Sequence, residues 1–142
     1  MDKKFLISWL VIFVVWMAGS FIVHGLLLQA DYGALPNLMR TETETQALFH
    51  WMVLAHILLA GAFVWIYNRG KEDKPWVQQG IRFGIAIAVL AAIPTYMVYY
   101  VVQPTPGILA IKQMIFESVL IVILGIVVAF LNKPQAAASA TE

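Results

Sequence analysis

The stretch ILAIKQMIFESVLIVILGIVVAFL, residues 108–131, decides the fold. Apart from Lys112, Gln113, Glu117 and Ser118 it is apolar on every side, so as a helix it has no broad polar face to offer water. At about 1.5 Å per residue it is long enough to cross a hydrocarbon core about 30 Å thick. Three further blocks, residues 5–28, 47–67 and 80–102, have the same character. The chain has 142 residues, of which 61% are hydrophobic and 12% charged. Soluble domains carry roughly 25% charged residues, so this composition points to a membrane protein. The blocks are continuously apolar and do not alternate in segments of about 10 residues, which excludes an outer-membrane barrel. The expected fold is an all-α integral membrane bundle of four transmembrane helices, a single domain over residues 1–133, followed by a disordered tail over residues 134–142.

The first block follows Lys3 and Lys4 and so invites reading as a secretory signal. It is longer than the roughly 7–15 apolar residues of a signal core, and Ala18-Gly19-Ser20 is a poor cleavage site, so it reads as a retained helix. The absence of cysteine removes disulfides, thiolate metal sites and covalent haem attachment. A net charge of +1 leaves no nucleic-acid footprint. Lys3, Lys4, Arg69, Lys71, Lys74, Arg82 and Lys133 sit at the chain end, in the second connection with its flank, and in the tail. By the positive-inside rule both termini and the second connection face the cytoplasm. The first connection, QADYGALPNLMRTETETQ, is then outside, with Tyr32, Leu35, Leu38 and Met39 suited to an interfacial turn and Thr43 with Gln46 to a helix cap. The turn QPTPG closes the other outer connection.

Without a hydrophobic drive between helices in lipid, close approach depends on small residues, and Gly80, Gly84, Ala88 and Ala92 form a stripe at four-residue spacing. Pro94 should kink the third helix ahead of Tyr96, Tyr99 and Tyr100, which read as an aromatic belt.

Ionisable groups inside the span carry the functional question. Counted along their helices, Glu117 and His56 come at matching depth near the middle of the membrane, and Gln113 shares the Glu117 face. The expectation is a buried polar pair of His56 with Glu117, either a structural hydrogen bond or a proton relay. Lys112 should snorkel to headgroups. His24 and His50, from neighbouring helices at similar depth, are candidate axial ligands of a b-type haem, or ligands of a metal completed by an outer-loop carboxylate. No peptidase or hydrolase motif is present, so no catalytic residue is assigned and no cofactor is required.

The segments FIVHGLLLQADYGALPNLMR, FVWIYNRGKEDKPWVQQGIRFG and IPTYMVYYVVQPTPGILAIKQMIFE resemble stretches of small bacterial four-helix membrane proteins of unknown function. The resemblance implies a multi-pass protein of the bacterial inner membrane and transfers no catalytic residue. Two functions stand as expectations. The first is a non-enzymatic accessory or anchor subunit that associates with the lipid bilayer and with other membrane subunits or itself. The alternative is a redox or proton-handling subunit that binds haem b, quinone or a metal through its intramembrane His and Glu residues.

Overall fold

The structure, a computed structural model, describes residues 2–133; the expected disordered tail lies outside the described residues. Those residues form only helices and their connections. Helix α1 (Lys3–Ser20) runs into a π-helical turn, Phe21–Leu27, and together they make the first span. The short helices α2 (Gln29–Gly33) and α3 (Glu42–Ala47) lead to α4 (Phe49–Gly70), the second span. The third span, Trp76–Val102, comprises α5 (Trp76–Ile87), a π turn at Ala88–Ala92 and α6 (Ile93–Val102). Helix α7 (Gly107–Leu131) is the fourth. All four spans are long and apolar enough to cross a membrane.

The local chemistry explains the boundaries. The Asp2 carboxylate accepts the Lys4 amide at 3.3 Å and caps α1. The expected cap of Thr43 with Gln46 is replaced by a capping box two residues earlier. The Thr41 hydroxyl accepts the Glu44 amide at 3.3 Å, and the Glu44 carboxylate accepts the Thr41 amide at 3.0 Å. Glu44 lends a carboxylate, a stronger acceptor than the Gln46 amide, and the Thr41 bonds hold its carboxyl below the usual range. Pro94 lies in the first turn of α6, and the interruption expected there takes the form of the preceding π turn, in which the Ile93 amide bonds the Ala88 carbonyl five residues back. In the same way, Leu28 bonds the Val23 carbonyl at the end of the first π turn.

The most extensive helix contact is α5 on α7, followed by α1 on α4 and α1 on α7. The first two spans therefore form one hairpin and the last two another, joined through α1 and α7, while α4 barely touches α7. On α7, Leu109, Leu120, Leu124 and Val128 are buried, against Ile12 and Trp16 of α1 and Ala88 of the third span. Phe83 bridges the hairpins by stacking edge-on against Phe63 and Tyr67 of α4. The outward residues, among them Leu10, Leu58, Leu90, Val101 and Ile123, give a continuous apolar surface suited to lipid.

Gly80 and Gly84 are buried where α5 crosses α7. A methyl group on Gly80 would lie 2.6 Å from the Gly125 carbonyl oxygen, and one on Gly84 would lie 2.6 Å from the Val122 Cα. Both obstacles are backbone and cannot swing aside. Ala88 and Ala92 continue the buried face toward the Asp31 end of the bundle. Gly84→Leu should therefore lower the thermal unfolding temperature in detergent, by more than the roughly 1–3 kcal/mol of ordinary overpacking. Gly70→Ala, with nothing within 4 Å of the added methyl, should leave it unchanged.

Candidate functional site

Polar side chains from three spans and α2 converge at the end of the bundle that holds α2, here termed the Asp31 end. The first π turn carries His24, α2 carries Asp31 and Tyr32, α6 carries Tyr96, and α7 carries Lys112, Gln113 and Glu117. Both π turns adjoin this cluster, one containing His24 and the other preceding Tyr96. π turns alter the phase of the side chains that follow and concentrate at functional sites.

Hydrogen bonds link the cluster in one direction. The Gln113 side-chain amide donates to the Tyr32 hydroxyl at 3.1 Å. Tyr32 is thereby left to donate its own hydrogen to His24 Nδ1, 2.7 Å away. With Nδ1 accepting, the neutral imidazole carries its hydrogen on Nε2, a tautomer assigned here from the bond pattern. Nε2 lies 3.4 Å from the Tyr96 hydroxyl and 3.5 Å from Glu117 Oε2. The Glu117 side chain is only 13% exposed, and its Oε2 has no hydrogen-bond partner among the described residues. Burial raises the Tyr32 phenol above its usual range, opposed by the Gln113 bond.

Lys112 departs from the expected snorkelling geometry. Its ammonium holds both oxygens of Asp31, at 2.8 and 2.9 Å, and so ties α2 down onto α7. This contact sets Tyr32, the next residue, over His24, where the two rings stack at 6.0 Å between centroids. Beside them is a cavity of about 330 Å³ lined by His24, Tyr32, Tyr96, Tyr99, Gln103 and Gln113, with Leu38, Met39, Thr105 and Leu109.

His56 does not meet Glu117. Its Nδ1 donates to the Met52 carbonyl at 2.8 Å, one turn back on its own helix, and its Nε2 accepts from the Ser20 hydroxyl at 3.1 Å. The reason is tertiary: α4 packs on α1, and α1 stands between His56 and the Glu117 face of α7. His24 of the first span takes the place assigned to His56. The expected pairing of His24 with His50 fails for a similar reason. His24 faces Tyr32, Tyr96 and Glu117, whereas His50 is exposed and lies against Trp51, with ring centroids 5.3 Å apart. No group of three His, Asp or Glu residues is placed to hold a metal among the described residues, and Asp31, the nearest outer-loop carboxylate, is occupied by Lys112.

Tyr32 and Tyr96 are members of the site that sequence reading assigned to the membrane boundary. Asp31 and Lys112 held the clue, because opposite charges at the same boundary on segments far apart in the chain imply a tie. No protein-family model, curated protein or solved structure matches the chain.

Tyr32→Phe removes the acceptor of Gln113 and the donor to His24 together. The loss should be about 1 kcal/mol in thermal unfolding. The native state favours the neutral phenol, so this contribution is present below the unfolded value near 10.0 and lost as pH rises through the raised value. The difference between wild type and Tyr32→Phe, followed by melting from pH 8 to about 12, should therefore shrink at the alkaline end.

Proposed function

We propose that this chain is a proton-handling accessory subunit of a bacterial inner-membrane assembly, exchanging protons between Glu117 and the outer side of the membrane. The observation that carries the reading is the polarised sequence Gln113, Tyr32, His24, Glu117, which starts at a polar cavity and ends on a buried carboxylate. The distribution of Lys and Arg supports an arrangement with both termini cytoplasmic and the Asp31 end outside.

The chemistry follows from the bond directions. A proton arriving at the Tyr32 oxygen from cavity water breaks the Tyr32 O–H bond as that hydrogen moves to His24 Nδ1. The imidazole then releases its Nε2 hydrogen to Glu117, and Tyr32 keeps the incoming proton. One proton enters, one O–H forms on the carboxylate, and His24 ends in the opposite tautomer. Protons pass over about 2.6–3.2 Å between heavy atoms, so the 3.5 Å separation of His24 and Glu117 closes by a small side-chain approach. The carboxyl group left unpartnered at Oε2 has a reason to make that approach.

The relay reaches one side. Farther toward the other end lie separate polar contacts, Trp9 Nε1 to the Ile57 carbonyl at 2.8 Å and Asn132 to Ser8 at 3.1 Å. No hydrogen bond joins them to the His24 cluster among the described residues. The geometry therefore favours proton exchange at an outer site over conduction across the bilayer. The accessory role is supported by the lack of any large domain outside the spans among the described residues. A purely structural anchor is the competing reading, and Glu117 separates the two.

Infrared spectroscopy of the protein in lipid should show a carboxylic acid band that responds to external pH and vanishes in Glu117→Gln, while the fold and any co-purifying partner are retained. A band indifferent to external pH, or Glu117→Leu equal to wild type in stability and co-purification, would leave the carboxylate without a role. A reporter fused after Glu142 should be cytoplasmic and one inserted beside Asn37 external; the reverse assignment would turn the cavity to the cytoplasm.

A further inference from the structure

Three properties of the cavity beside His24 narrow what it can hold. First, none of its lining residues is Asp, Glu, Lys or Arg. The neighbouring charges are spoken for or withdrawn: Lys112 and Asp31 neutralise each other, and Glu117 lies behind His24. A permanently charged ligand would lose its hydration here and find no counter-ion, at a cost of several kcal/mol. The occupant is neutral.

Second, the walls are rings and apolar chains. Tyr32, Tyr96 and Tyr99 contribute phenol faces, and Tyr96 and Tyr99 meet edge-on at 6.4 Å. Leu38, Met39 and Leu109 complete the apolar part. Such walls suit a flat ring, which gains from offset stacking and edge-on contact. The volume of about 330 Å³ is at the lower end of the roughly 300–1,000 Å³ of small-molecule sites.

Third, the polar groups that remain are one donor and one acceptor. With the Nε2 hydrogen of His24 directed at its oxygen, the Tyr96 hydroxyl has its own hydrogen left to give. The Gln113 amide nitrogen is committed to Tyr32, and no donor reaches its amide oxygen among the described residues. A ring oxygen can thus accept from Tyr96 as a carbonyl or donate to Gln113 as a hydroxyl.

We propose that this cavity binds the head group of a quinone-type ligand, its ring among Tyr32, Tyr96 and Tyr99 and its oxygens on Tyr96 and Gln113. This inference rests on the proton-handling reading and gives it a partner: the carbonyl and hydroxyl forms of such a ring differ by protons, and the cavity opens onto a chain that takes them up. In the orientation of the bundle favoured above, the cavity lies at the outer edge of the hydrocarbon layer, where a membrane-soluble ring with polar oxygens partitions. Only binding is claimed; electron transfer would require a redox partner.

Titration of the full-length protein in lipid nanodiscs with a short-chain ubiquinone, followed by calorimetry, tests the assignment. Wild type should bind saturably. Tyr96→Phe, which keeps the ring and removes only the hydroxyl, and Gln113→Leu should each weaken binding roughly three- to tenfold, the size of one neutral hydrogen bond. Gln79→Leu, at the far end of the bundle, should bind like wild type. Non-saturable uptake equal to that of empty nanodiscs overturns the proposal, as does a wild-type affinity in Tyr96→Phe and Gln113→Leu together. The Glu117 infrared band distinguishes the two levels of the argument. A pH-responsive band in a protein that binds no quinone refutes the ligand and leaves proton handling standing. Saturable binding lost in Tyr96→Phe supports the ligand whatever the band does.

Discussion

Gly125 rests against the backbone of Gly80 and Gly84, and no side chain stands between the last two spans at that point. Close approach at one level fixes the separation and rotation of α5 and α7 along much of their length, because two helices in van der Waals contact have little freedom left to roll. Helix α7 is thereby presented to the first hairpin with Gln113 and Glu117 turned inward and Ile111, Ile115, Val119 and Ile123 turned outward. Every contact of the polar cluster is made by α7 or by a residue that α7 positions. The small residues near one end of the bundle and the ionisable residues near the other thus belong to one arrangement.

A second constraint acts at the Asp31 end. A carboxylate within a span costs roughly 2.5–3.5 kcal/mol on insertion scales unless it faces protein or water. Here the requirement is met in steps. Lys112 and Asp31 cancel at the rim, Tyr32 and Gln113 satisfy His24, and His24 is left as the nearest polar group to Glu117. The arrangement is tightest at the rim, with bonds of 2.7–2.9 Å, and loosest at its core, at 3.4–3.5 Å. A purely structural network would be expected to tighten toward the buried end, where an unmet bond is most expensive. The slack around Glu117 is the physical ground for giving that residue a changing protonation state.

The all-helical architecture and the four apolar spans were legible because length and composition of each block are local properties. The small-residue stripe could likewise be read off by spacing. Neighbour relations could not. Depth along a helix placed His56 level with Glu117, but depth says nothing about which helix stands between, and α1 does. Tyr32 and Tyr96 look like ordinary boundary aromatics because the sequence does not reveal that Lys112 draws α2 inward. The π turn at Ala88–Ala92 had a herald in Pro94. The one at Phe21–Leu27 had none, and it sets the direction of His24.

Those two turns bear on how the chain can change in length. A π turn accommodates one more residue than the regular helix would, so deleting a single residue within Ala88–Ala92 would let the third span run as an uninterrupted α-helix. Everything beyond the deletion would be rotated by about 100° relative to α5. Gly80 and Gly84 would still sit on Gly125, but Tyr96 would leave the cavity wall and a neighbour would face His24 in its stead. The bundle would survive such a deletion and its polar site would not. The third span is thus divided at Ala88 into a part whose phase is tied to packing and a part whose phase is tied to chemistry.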